Sequence, residues 1–264
     1  MAEKGCPDCQ GTGWKLVEVA GVSRAQRCTC GLARQPIDLL RRSRIPPRYE
    51  HCTLANFDLR KDAATGSVNG YLERAKSDAA FFVREYPNVD CGLVFTGPTG
   101  VGKTHLAVAV LRGLVERGFE CLFVDFRELL QQIRESYDPV ADTTELRLLQ
   151  PVIESEVLLL DELVAANPSD WLKERLAYII NARYNQKKVM LITTTLAFGD
   201  AGRTPGHTGP SMPSGESIPN LERSLDQFGV TLSSRLYEMC KPIEIRAHDF
   251  RKEVKQAGYR FYAD

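Results

Sequence analysis

An octapeptide, Gly97-Pro98-Thr99-Gly100-Val101-Gly102-Lys103-Thr104, follows the apolar run Gly92-Leu93-Val94-Phe95-Thr96 and leads into the helix-like stretch His105 to Leu114. The G-x-x-x-x-G-K-T spacing between a strand and a helix predicts a phosphate-binding loop. Gly97, Gly100 and Gly102 free the backbone to turn its N–H groups towards phosphates. Lys103 supplies a point charge for the β- and γ-phosphates, and the Thr104 hydroxyl is a ligand for Mg²⁺. The helix that starts near His105 adds its N-terminal dipole. Residues Gly97, Pro98, Thr99, Gly100, Val101, Gly102, Lys103, Thr104 and His105 are therefore the candidate nucleotide-binding set. A loop of this kind also restricts the fold, because it needs a buried parallel strand before it and a helix after it.

The rest of the chain supplies such a sheet. Apolar runs at Cys121–Asp125, Val157–Leu160 and Val189–Thr195 alternate with helical patterns at Phe126–Tyr137 and Pro168–Gln186. This alternation predicts an α/β domain with a parallel sheet and helices on both faces. Further helices are expected within Ser67–Tyr86, at least partly within Leu221–Met239, and at Asp249–Ala257, with a late strand at Pro242–Ile245. Phe198–Pro219 contains five Gly and four Pro in 22 residues and reads as a loop or insertion. The run Val157–Leu160 is apolar on both faces, as a central parallel strand should be, and it ends in Asp161-Glu162. Asp161 is placed to reach Mg²⁺ and Glu162 to orient or activate water. A solvated turn is the alternative for the pair taken alone.

Lys plus Arg and Asp plus Glu each total 34 among 264 residues, so no global basic field announces nucleic acid. Residues 1–44 are locally basic, with eight basic against four acidic side chains. No apolar run reaches membrane-spanning length and the N-terminus has no signal-peptide core, so a soluble, cytoplasmic chain without a membrane partner is expected. Four of the eight cysteines cluster: Cys6 and Cys9, then Cys28 and Cys30. Two close pairs at this separation predict four thiolates around one structural Zn²⁺. Redox thiols are the alternative. Between the pairs, Trp14–Val19 alternates like a strand and Ala20-Gly21 offers a hairpin turn. A module this small depends on its metal for stability. The division expected is a zinc module and linker helix at 1–44, followed by an ATPase domain at 45–264.

These motifs resemble those of AAA+ proteins in the bacterial helicase-loader group, DnaC and DnaI, and of the related IstB transposition helper. Arg44-Ile45-Pro46-Pro47-Arg48-Tyr49 is similar to the group's entry motif. Ser234-Arg235-Leu236-Tyr237-Glu238-Met239-Cys240 is similar to its S-R-L-x-E-M-C segment, and Asp249-Phe250-Arg251 to its terminal D-Y-R. The resemblance implies a P-loop AAA+ core without the helical lid, since the chain ends soon after Arg251. It makes Arg235 an arginine finger completing a neighbour's ATP site. It puts Thr195 at the sensor position, where the group often carries Asn, with Thr194 as the alternative. It implies single-stranded DNA near Phe126–Gln150, self-association through the ATP site, and a hexameric replicative helicase gripped by the zinc module. The expected activity is ATP hydrolysis in the service of helicase loading. An IstB-like ATPase assisting a transposase, and a nucleotide-binding adaptor without turnover, are the competing expectations.

Overall fold

The computed structural model describes residues 6–10, 12, 14–19, 22–28, 36–59, 61, 66–163, 168–196 and 225–252. At the N-terminus, β1 (Trp14–Val19) and β2 (Val22–Arg27) form an antiparallel hairpin that pairs Trp14 with Arg27 and Val19 with Val22. Helix α1 (Pro36–Arg42) comes next in the chain. Its Leu39 is buried in the main core, and Phe123 N–H donates to Ser43 O at 2.7 Å.

Five parallel strands make the central sheet: β3 (Gly92–Thr96), β4 (Cys121–Asp125), β5 (Val157–Asp161), β6 (Val189–Thr194) and β7 (Cys240–Glu244). Their spatial order is β4-β5-β6-β3-β7. All residues of β3 and β5 are buried, which explains why these strands read as continuous apolar runs. One face carries α2 (Gly70–Glu85) and α3 (Lys103–Glu116), with Leu72, Phe82, Leu106 and Leu111 in its core. The other carries α4 (Phe126–Glu135), α5 (Glu145–Glu154), α6 (Asp170–Asn185) and α7 (Val230–Met239), with Phe126, Ile133, Leu176, Ile180 and Leu236 in its core. Side-chain caps fix several helix starts: Asn69 Oδ1 accepts from Tyr71 N and Leu72 N, and Asp125 Oδ1 accepts from Arg127 N and Glu128 N. Among the described residues no helix is long and apolar enough to cross a membrane.

Three elements differ from the sequence expectation. Glu145–Glu154 is a helix of its own, capped by Thr144, although it contains Pro151. The stretch ending at Met239 is a short 3₁₀ turn at Leu225–Phe228 and then α7, separated by Gly229 at φ 107°. β7 begins at Cys240, earlier than the expected Pro242. The expected loop at Phe198–Pro219 lies outside the described residues, as does the end of the helix expected at Asp249–Ala257.

Candidate nucleotide site

In a parallel sheet, ligands bind beyond the carboxyl ends of the strands. The phosphate loop leaves the end of β3, Asp161 closes β5, and Thr193 and Thr194 close β6, which lies between them. Gly97, Gly100 and Gly102 all have positive φ, at 141°, 80° and 107°. Thr104 Oγ1 donates to Asp161 Oδ1 at 2.9 Å, joining the two predicted metal-binding residues directly. Thr193 Oγ1 donates to the same oxygen at 2.5 Å and accepts from Glu162 N at 3.0 Å. One hydroxyl thus holds both carboxylate residues in place. Glu162 itself has φ 55°, a left-handed conformation that non-glycine residues seldom adopt. Such strain collects where a side chain must be aimed for function.

Burial shapes the charges here. Lys103 Nζ folds back to donate to Gly97 O and Pro98 O at 2.9 and 2.6 Å. Burial pushes its pKa down to about 8, partly opposed by Asp161. Asp161 is 3% exposed, and burial pushes its pKa up to about 6 against the hydrogen bonds from Thr193 and Thr104. A buried cation and a buried anion, each costly to keep charged in this space, suit a ligand that is itself anionic and brings a cation.

The cleft has a volume of about 530 Å³, within the range of small-molecule sites. Its walls are the loop, Glu162, Thr193 to Thr195, the segment from Arg48 to Asp58, and Phe250 with Arg251. Thr195 is partly exposed on that wall. Thr194 is buried, donating to Leu163 O at 2.6 Å and accepting from Leu196 N at 3.0 Å. His105 faces the first segment: its Nε2 lies 3.2 Å from Thr53 O and 3.0 Å from Asn56 Oδ1, and burial lowers its pKa.

Two features of the site escaped the sequence reading. Arg127 Nε lies 4.0 Å from Glu162 Oε2. The parallel register pairs Asp125 with Asp161, which carries the first turn of α4 to the carboxylate pair. Strand adjacency, absent from the sequence, was the missing signal. The second feature is the hydroxyl of Thr193, whose hydrogen bonds only the β5–β6 pairing makes visible.

Arg235 lies apart from the cleft residues. Its Nη1 donates to Asn181 Oδ1 on α6, and its guanidinium stacks 5.3 Å from the Tyr184 ring centroid. The Tyr184 hydroxyl in turn donates to Glu238 at 2.8 Å. In the N-terminal module, the thiol sulfurs of Cys6, Cys9 and Cys28 all lie within 4.8 Å of one another and are buried. Cys30 lies outside the described residues. The Cys6–Cys28 sulfur separation is 3.6 Å. Tetrahedral Zn–S bonds of ~2.3 Å give an edge of about 3.8 Å, so these residues fit zinc.

Residues 25–208 match the family described as IstB-like ATP binding protein. The chain belongs to this family. It is 26% identical over 147 residues to the replicative helicase loader DnaC of Escherichia coli (strain K12), covering 56% of each protein. It is 27% identical over 174 residues to an insertion sequence IS5376 protein of Geobacillus stearothermophilus described as ATP-binding, covering 66% of this chain and 63% of that one. The chain therefore spans little more than half the length of these curated relatives. It also superposes on a crystal structure of the DnaC helicase loader with a TM-score of 0.57 and 29% identity, over 76% of this chain and 100% of that one. The parallel sheet, two-sided helices and phosphate loop are the AAA+ arrangement that the motifs implied.

Proposed function

We propose that this chain is a cytoplasmic, ATP-dependent loader of a hexameric replicative helicase. The observation that carries the reading is the Thr104–Asp161 contact with Glu162 one residue on, in a chain that matches the full length of the chain solved for a DnaC helicase loader at 29% identity. Thr104 and Asp161 would hold magnesium, which when bound offsets phosphate charge. Lys103 and the loop N–H groups bind the triphosphate. Glu162 orients the attacking water and takes its proton. Thr195 reads the terminal phosphate, because the Thr194 hydroxyl is already committed within the fold. Arg235, held ready by Asn181 and Tyr184, enters the cleft of a neighbouring copy. Single-stranded DNA runs along the α4–α5 element.

In this reading the ATPase domain is residues 45–264 and the module at 1–44 grips the helicase. Cys6, Cys9, Cys28 and Cys30 hold Zn²⁺ there. Elemental analysis of the purified chain should find about one zinc per chain; a metal-free, folded hairpin would contradict the site.

The second reading, assistance to a transposase, draws on the insertion-sequence relative, which matches 66% of this chain. Capture separates the two. The immobilised full chain should retain a hexameric replicative helicase with ATP and release it with ADP. Retention of a transposase, with no helicase held in either nucleotide, would replace the loader reading with the transposition one.

A further inference from the structure

Residues three apart on a helix share one face. On α7 such a pair is Arg235 and Glu238, and on α6 it is Asn181 and Tyr184. The four side chains close a ring between the two helices. Arg235 Nη1 donates to Asn181 Oδ1, and the guanidinium carbon lies 5.3 Å from the Tyr184 ring centroid. The Tyr184 hydroxyl donates to Glu238 Oε2 at 2.8 Å, which returns the ring to α7. Glu238 lies in the same Ser234–Cys240 motif as Arg235, so the motif supplies both the cation and the brace for the tyrosine that carries it.

Joining the helices does not require this ring, because Leu176 and Ile180 of α6 already share a buried core with Leu232 and Leu236 of α7. Arg235 itself is half-buried. Among the described residues, none of the four lines the nucleotide cleft of its own chain. The ring holds one guanidinium in one orientation. Fixing a rotamer-rich side chain at a binding step weakens that step, and here the fixing is done on folding. A guanidinium has five N–H donors, and the bond to Asn181 engages one nitrogen, so donors remain for phosphate oxygens.

We propose that Asn181 and Tyr184, with Glu238 bracing Tyr184, are positioning residues that hold Arg235 for the ATP site of a neighbouring copy. The proposal rests on the reading of Arg235 as a finger that acts in trans. The test is steady-state ATP turnover by the full chain, with variants alone and in equal mixtures. Tyr184→Ala should lower kcat about 5- to 10-fold, the scale of one cation–π contact and one freed side chain, with KM for ATP within about twofold. Tyr184→Phe keeps the ring and should recover most of the loss. The defect belongs to the donated half of each site. Mixed with Glu162→Gln, Tyr184→Ala should therefore regain about a quarter of wild-type turnover, because about a quarter of the interfaces join an intact Glu162 to a fully held Arg235. Mixed with Arg235→Ala it should gain nothing, since both lesions lie in the same half. A substitution that only loosened the fold would impair both halves, and Glu162→Gln would not rescue it. Should Tyr184→Ala not fold, Asn181→Ala carries the same two mixtures, with a loss of about threefold or more on its own. Tyr184→Ala turnover within about twofold of wild type, Tyr184→Phe as slow as Tyr184→Ala, or a gain with Arg235→Ala overturns the positioning role. No recovery in the mixture of Arg235→Ala with Glu162→Gln overturns the finger itself. Recovery there without recovery for Tyr184→Ala overturns this proposal alone.

Discussion

Glu162→Gln should lower ATP turnover at least about 100-fold and leave ATP affinity nearly unchanged, since losing a general base costs typically 10²- to 10⁴-fold. The amide keeps the shape of the side chain but cannot accept a proton. The backbone placement of residue 162 does not depend on the carboxylate: it comes from the Glu162 N–Thr193 Oγ1 bond of 3.0 Å and the strained φ of 55°. The substitution should therefore affect the chemistry and spare the fold. Asp161, which is nearly buried and bonded to Thr104 and Thr193, keeps its own contacts in the variant. Single-turnover measurement with radiolabelled ATP, beside a binding titration, checks both halves. Turnover within tenfold of wild type would remove Glu162 from the mechanism.

The largest expected loss of stability is at Arg183, a fully buried cation on α6 with 0% exposure. No carboxylate pairs with it among its described hydrogen bonds. Its Nη1 donates to Val152 O, Ile153 O, Ser155 O and Ser155 Oγ at 2.9 to 3.3 Å, and its Nη2 to Glu156 O and Val189 O at 3.4 and 2.6 Å. Those carbonyls lie at the C-terminal end of α5 and at the entries to β5 and β6, so a cation there meets the negative end of the helix dipole. Burial pushes the Arg183 pKa down to about 10, and the group stays charged at neutral pH. Arg183→Met fills similar space but leaves several buried carbonyls without donors. The cost should be about 3–5 kcal/mol, in the range for breaking a buried charged network. In a domain of this size that corresponds to a fall in Tm of roughly 10 °C. The network sits at the N-terminal ends of the strands, opposite the phosphates, so ATP binding by the folded variant should persist. A Tm within about 2 °C of wild type, by calorimetry, would contradict this account.

Arg183 also marks the limit of what the sequence reveals. In the helical pattern 168–186 it looks like one more solvated charge, because nothing local indicates that strands β5 and β6 begin beside it. The phosphate loop and the Asp161-Glu162 pair were legible because their chemistry depends on fixed local spacing. The buried strands were legible because parallel strands are apolar on both faces. Sheet order was not, and with it went the Arg127–Glu162 contact and the Thr193 bridge. Helix α5 was obscured by Pro151, which reads as a breaker. The cysteine spacing was legible, and the fold gathers Cys6, Cys9 and Cys28.

In the proposed loader, copies of the chain share each ATPase site, with Glu162 in one copy and Arg235 from the next. The direct measurement is steady-state turnover by Arg235→Ala and Glu162→Gln, each alone and mixed in equal amounts. Each alone should be nearly inactive. In the mixture about a quarter of the interfaces join an intact Glu162 to an intact Arg235, so about a quarter of wild-type turnover should return. No recovery at any ratio, or full activity of Arg235→Ala alone, would contradict the shared site.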